Sequence, residues 1–255
     1  MNRIQAACEP ATDSRAKTIR VDAGVVSAVA GDNPCSIFAP LHYEPNYAYP
    51  LLVWLHGPGD DEGQLKRIMP LVSMRNYVGV APRGTVSQGG RRAGRSPATW
   101  DPGVSHLVPG FERVKAAVSR ACDRFNIAHH RVFLAGYDRG GTMALRLAFS
   151  FPRLFAGVLS ICGAVPHGGA PLARLQEARR VPVFLACAKD SRQYPQERVC
   201  RDLRLLHAAG MEVSLRQYSC DHKLTTRMLS DTDHWMMDLV TRDSSAAATG
   251  RAHRG

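Results

Sequence analysis

Acidic residues are missing from one long stretch of this chain. Between Gly63 and Trp100 there are seven basic residues (Lys66, Arg67, Arg75, Arg83, Arg91, Arg92, Arg95) and no Asp or Glu, within a net charge of +11. Such a stretch suits an anionic small molecule. It does not suit single-stranded nucleic acid, because no aromatic residue interleaves the basic loop from Gly89 to Arg95 to stack a base. Paired cysteines are also missing. The seven (Cys8, Cys35, Cys122, Cys162, Cys187, Cys200, Cys220) are odd in number, far apart and never in a C-x-x-C spacing, which argues against a disulfide framework and a zinc site. Long apolar runs are absent too. None approaches the roughly 20 residues of a membrane-spanning helix, and Met1 to Arg20 has no hydrophobic segment of the kind a secretory leader needs. A soluble cytoplasmic protein without metal or cofactor is expected, as a monomer or a homodimer.

What is present is an alternation of short apolar runs with amphipathic stretches. The runs Leu51 to Leu55, Tyr77 to Ala81, Val132 to Ala135, Gly157 to Ile161, Val183 to Ala188 and Val213 to Arg216 read as buried strands. Helical spacing appears at Phe111, Val114, Ala117, Val118 and Ala121, at Val199, Leu203 and Leu206, and at Leu224, Met228, Trp235, Met236 and Leu239. The pattern predicts an α/β fold, a mostly parallel sheet with helices on both faces. The stretch around Ser36 to Pro40 is expected to add an antiparallel N-terminal edge. We expect one domain over residues 18–241, with disordered tails at 1–17 and 242–255.

Gly136, Tyr137, Asp138, Arg139 and Gly140 read G-x-D-x-G between a strand candidate and a helix candidate. This is the frame of a nucleophile elbow, with a carboxylate where a serine hydroxyl is usual. The flanking glycines leave room for a sharp turn. Two later residues complete a set in chain order. Asp190 leaves the carboxyl end of one strand candidate, and His222 follows the last. His222 is the candidate base and Asp190 its orienter.

After the first strand run comes His56-Gly57-Pro58-Gly59, an H-G-x-G loop of the kind that supplies a backbone oxyanion donor. Together with the elbow, Asp190 and the His222 turn, the segment Leu51 to Asp60 resembles the phospholipase/carboxylesterase family of cap-less α/β hydrolases, the group that includes acyl-protein thioesterases. The resemblance covers roughly Ile37 to Val240. It implies a cap-less α/β-hydrolase fold and cofactor-free hydrolysis of small carboxylic esters or thioesters. It also implies oxyanion donors in the Gly57 to Gly59 loop and at Arg139, and a place for Trp100 beside the acyl pocket.

Two residues depart from that pattern. Asp138 replaces the serine, and Pro58 has no N–H to give. A carboxylate attacking an ester would form a mixed anhydride, which is uphill. At a saturated carbon it forms an ordinary alkyl ester that His222 could hydrolyse with water, as in epoxide opening or dehalogenation. The alternatives are Asp138 as a general base on water, and an inactive pseudoenzyme in which Asp138 pairs with His222 and the pocket only binds.

Overall fold

A strand whose side chains are all buried needs cover on both faces, and Tyr49–Leu55 (β3) is such a strand, buried at all seven positions. It lies inside an eight-stranded sheet. The computed structural model describes residues 26–28, 33–89 and 97–252, with side chains described over 33–89 and 97–242.

Along the chain, the strands of this sheet are Val26–Ala28 (β1), Cys35–Phe38 (β2), β3, Val78–Pro82 (β4), Ile127–Tyr137 (β7), Gly157–Ile161 (β8), Val183–Ala188 (β9) and Val213–Tyr218 (β10). A separate short ribbon pairs Val86–Ser87 (β5) with Ala98–Thr99 (β6). The sheet order is β1-β2-β4-β3-β7-β8-β9-β10. From β4 to β10 every pairing is parallel, while β2 joins β4 and β1 joins β2 antiparallel. All six apolar runs are therefore neighbouring parallel strands. The expected antiparallel edge is present as β2, with β1 outside it.

Helices cover the two faces unequally. Leu107–Cys122 (α2), Arg139–Ser150 (α3) and Gln196–Ala208 (α5) bury Val114, Met143, Leu147, Val199 and Leu206 against one face. On the other face, Gln64–Val72 (α1) and Thr226–Ala252 (α6) bury Leu65, Ile68, Met69, Met228 and Met236. The helical spacing that marked Val114, Val199, Leu206, Met228 and Met236 is the apolar stripe their helices turn to the sheet. Between β8 and β9 the chain forms only the single turn Leu175–Ala178 (α4), so no helical cap is inserted there.

Helix α6 continues through residues 242–252 and ends at Ala252. Alanine, which recurs in this stretch, has the highest helix propensity. The tail assigned to residues 1–17 and the start of the domain at 18 lie outside the described residues, as does the basic loop from Gly89 to Arg95 apart from Gly89 itself.

Candidate active site

The centre strand β7 ends at Tyr137 and α3 begins at Arg139, leaving Asp138 alone to make the turn. Its backbone sits at φ 51°, ψ −118°, a region that costs a non-glycine residue about 1–3 kcal/mol. Neighbouring hydrogen bonds hold it there. Its N–H donates to the Ile161 carbonyl at 2.8 Å, and its own carbonyl accepts from Thr142 N–H at 3.0 Å. Glycine is required on either side. A Cβ on Gly136 would stand 2.4 Å from the Gly140 carbonyl carbon, and one on Gly140 would stand 2.2 Å from the Leu55 carbonyl oxygen.

His222 follows β10 and comes to the elbow. Its Nε2 lies 3.2 Å from Asp138 Oδ2, and the residue is nearly buried at 7% side-chain exposure while Asp138 keeps 28%. The approach is close but off the hydrogen-bonding direction, so among the described residues the buried Nε2 has no hydrogen-bond partner. Tyr137 fixes the turn by donating its hydroxyl to the His222 carbonyl at 3.0 Å, and its ring lies 5.9 Å from the imidazole.

On the far side of the imidazole the expected acid is not the partner. Asp190 is exposed, and among the described residues it makes no hydrogen bond or ion pair with His222. Ser191 holds that place, with Oγ 2.6 Å from His222 Nδ1. The strand-exit turn after β9 points alternate side chains apart, and the one directed inward is the serine. Residue type favoured the acid at 190, and only the direction of the turn separates the two.

Ser191 belongs to a buried network. Its Oγ also accepts Tyr194 N–H at 2.9 Å, and the Tyr194 hydroxyl donates to Asp202 Oδ2 at 2.9 Å. The same carboxylate oxygen accepts Val165 N–H at 2.8 Å. Asp202 is fully buried and ties the loop after β8 to the turn that presents Ser191. Burial pushes the neighbouring Cys187 thiol up to about 12 and Cys162, beside the elbow, up to about 12 as well, so both stay neutral at physiological pH.

The loop after β3 is also committed to internal contacts. His56 is fully buried: Nε2 accepts Gly84 N–H at 2.8 Å, which leaves the proton on Nδ1, 2.9 Å from the Gly57 carbonyl. Burial lowers its pKa from the ordinary 6.5. Gly57 packs under the Tyr137 ring and gives its N–H to Gln64 Oε1 at 3.3 Å. Pro58 is exposed and has no N–H. Gly59, at φ 74°, gives its N–H to Gln88 Oε1 at 2.7 Å. Arg139 is exposed and stands first in α3, where the helix itself offers its N–H no partner.

Trp100 is completely buried in the core that contains Met143, with its ring centroid 5.9 Å from that of His56 and its indole N–H without a hydrogen-bond partner among the described residues. Two cations of the acid-free stretch turn back onto acids just before it. Arg83 pairs through two bonds with Glu62, at 2.6 and 2.7 Å, and Arg67 pairs with Asp60. Among the described residues no group of three or more His, Cys, Asp or Glu is placed to hold a metal ion, and no helix is long and apolar enough to cross a membrane.

Six neighbouring parallel strands, a strained elbow between the central strand and a helix, and a histidine delivered after the last strand define an α/β hydrolase. Residues 44–239 match the phospholipase/carboxylesterase family, and the chain belongs to it. A stretch of 138 residues is 30% identical to "Putative esterase NocK" of Nocardia uniformis subsp. tsuyamanensis, covering 53% of this chain and only 38% of that protein. Arabidopsis thaliana SOBER1 shares the fold, with a TM-score of 0.63 at 19% identity over 76% of this chain and all of that one. So does the Bacillus cereus carboxylesterase, with a TM-score of 0.61 at 19% identity over 82% of this chain and 95% of that one.

Proposed function

We propose that the chain is a hydrolase of small ester-like or alkyl substrates in which Asp138 attacks from the elbow and His222 activates water, with displacement at a saturated carbon as the favoured chemistry. The observation that carries this reading is the 3.2 Å approach of His222 Nε2 to Asp138 Oδ2 on a strained elbow. In the first step a carboxylate oxygen bonds to carbon, and the leaving group departs with the bonding electrons. In the second, water adds to the aspartyl carboxyl carbon as His222 takes its proton. The tetrahedral intermediate collapses and expels the product alkoxide, which takes the proton from His222, and the freed Asp138 carboxyl gives its remaining proton to solvent to return as the carboxylate. The oxyanion of this step forms on the Asp138 side chain, with the N–H of the next residue, Arg139, as the backbone candidate to receive it. Attack on an ester carbonyl would need an anhydride intermediate.

The experiment is single turnover in ¹⁸O-water with a panel of epoxides, 2-haloacids and p-nitrophenyl esters. Water attack on an aspartyl ester places the heavy isotope in the peptide containing Asp138. Turnover that leaves this peptide unlabelled overturns the nucleophile role. A second reading, a pocket that binds without turnover, is favoured by the Gly59 N–H already held by Gln88 beside a proline that has none to give. Saturable binding of a panel compound with no product from any of them would select it.

A further inference from the structure

Asp138 and Ser191 occupy opposite nitrogens of one imidazole, so the carboxylate and the hydroxyl of a familiar Ser-His-Asp arrangement stand in exchanged places. The exchange has an electrostatic consequence. A bare Nε2 lone pair 3.2 Å from an ionised carboxylate oxygen is repelled, so the resting neutral ring carries its proton on Nε2. Its Nδ1 is then an acceptor, and Ser191 can serve it. With Tyr194 N–H on one lone pair, the Ser191 hydroxyl still has its own proton to give at 2.6 Å.

In that state Nε2 is a donor and cannot take a proton from water. It becomes a base once the Asp138 charge is gone. An aspartyl ester no longer holds the proton on Nε2, and the ring can move to its other form with Nδ1–H donating into the second lone pair of Ser191 Oγ. A hydroxyl can be either donor or acceptor, which a carboxylate cannot. An acid at 191 would leave the imidazole between two negative charges and favour the doubly protonated ring, removing the base altogether.

We propose that Ser191 is the positioning residue of this site. Its hydroxyl lets His222 hold its proton on Nε2 while Asp138 is ionised, and on Nδ1 when Asp138 is neutralised by ester formation. The second half of this rests on the nucleophile reading above, and the first half does not. Other ionisable groups around the corner are Tyr137, Cys162, Cys220, Asp190, Asp221 and Lys223, and none of them hydrogen-bonds the ring among the described residues.

The test is long-range ¹H–¹⁵N NMR of the full chain labelled at histidine, which separates the two neutral tautomers and the doubly protonated ring without substrate. The wild type should show His222 protonated on Nε2. Asp138→Asn, a neutral stand-in for the ester, should move the proton to Nδ1, and Asp138→Asn with Ser191→Ala should reverse much of that move. Ser191→Asp should raise the doubly protonated share of the ring above that of the wild type at the same neutral pH. In single turnover, Ser191→Ala should slow release of the labelled intermediate about tenfold, the loss of one hydrogen bond, and Ser191→Thr should restore it. A wild-type ring protonated on Nδ1 at neutral pH, or an Asp138→Asn ring that does not change, overturns the proposal. Unlabelled Asp138 together with the predicted tautomers overturns only the nucleophile reading and leaves Ser191 as the residue that sets the resting proton.

Discussion

Gly140 and Leu55 meet at the base of the elbow so closely that a Cβ on the glycine would lie 2.2 Å from the leucine's carbonyl oxygen. The obstacle is backbone at the C-terminal end of a fully buried strand, so it cannot rotate away as a side chain could. Gly140→Ala should therefore lower stability by about 1–3 kcal/mol or more through overpacking, read as the urea midpoint at unchanged m-value. An unchanged midpoint would show that α3 can shift away from β3 at little cost.

Exchanging the two ends of the imidazole back should change the chemistry. Asp138→Ser with Ser191→Asp puts the hydroxyl at the elbow and the acid on Nδ1. This double variant should cleave p-nitrophenyl acetate clearly faster than the wild type, and faster than Asp138→Ser alone, whose base lacks an acid partner. Adding Pro58→Gly, to supply the missing N–H, should contribute at most the about 10²- to 10³-fold of one oxyanion donor. Equal rates for the single and double variants would mean that Ser191 does not occupy the orienting position in solution.

His56 should make stability depend on pH below neutrality. Its folded pKa lies below the ordinary 6.5, so between those values the unfolded chain binds a proton that the folded protein excludes. The contribution is complete above about pH 6.5 and falls as pH drops toward the folded pKa, by up to about 1.4 kcal/mol per pH unit. Urea unfolding of wild type and His56→Gln between pH 5 and 8 isolates this part. The difference between the two should shrink as pH falls, and a constant difference would contradict a neutral buried ring.

Asp202→Ala should be costly, because Val165 N–H and the Tyr194 hydroxyl both lose their acceptor in a fully buried setting. At about 1–3 kcal/mol for each unpaired group, the total is about 2–6 kcal/mol. Tyr194→Phe should cost less, because it removes only one of those bonds. Chemical denaturation of both and of the double variant provides the coupling energy. Strict additivity would mean that the two residues do not share a network.

Much of the architecture is legible in the sequence. Five of the six apolar runs became neighbouring parallel strands because a strand covered on both faces must be apolar throughout, while the sixth, in β10, closes the sheet as a partly exposed edge. The elbow could be read because the turn at Asp138 leaves no space for a Cβ on Gly136 or Gly140, and so writes glycine into the sequence. The partner of His222 Nδ1 was not legible. Asp190 and Ser191 are adjacent and both polar, and an acid is the usual choice. Which one faces inward depends on a turn whose bonds run to Tyr218 and Cys220, on the next strand and just beyond it. The fate of the oxyanion loop was equally hidden. Pro58 was plain to see, but the capture of Gly59 N–H needs Gln88, 29 residues away.

By itself, then, the sequence determined the sheet, the elbow and the identity of the residue on it, because periodicity, glycine spacing and the absence of a side chain or an N–H are local properties. Tertiary structure alone decided which nitrogen of His222 meets a carboxylate and which a hydroxyl. That choice is made by strands distant in sequence whose ends converge, and it sets where the imidazole proton lies and what the site can do with it.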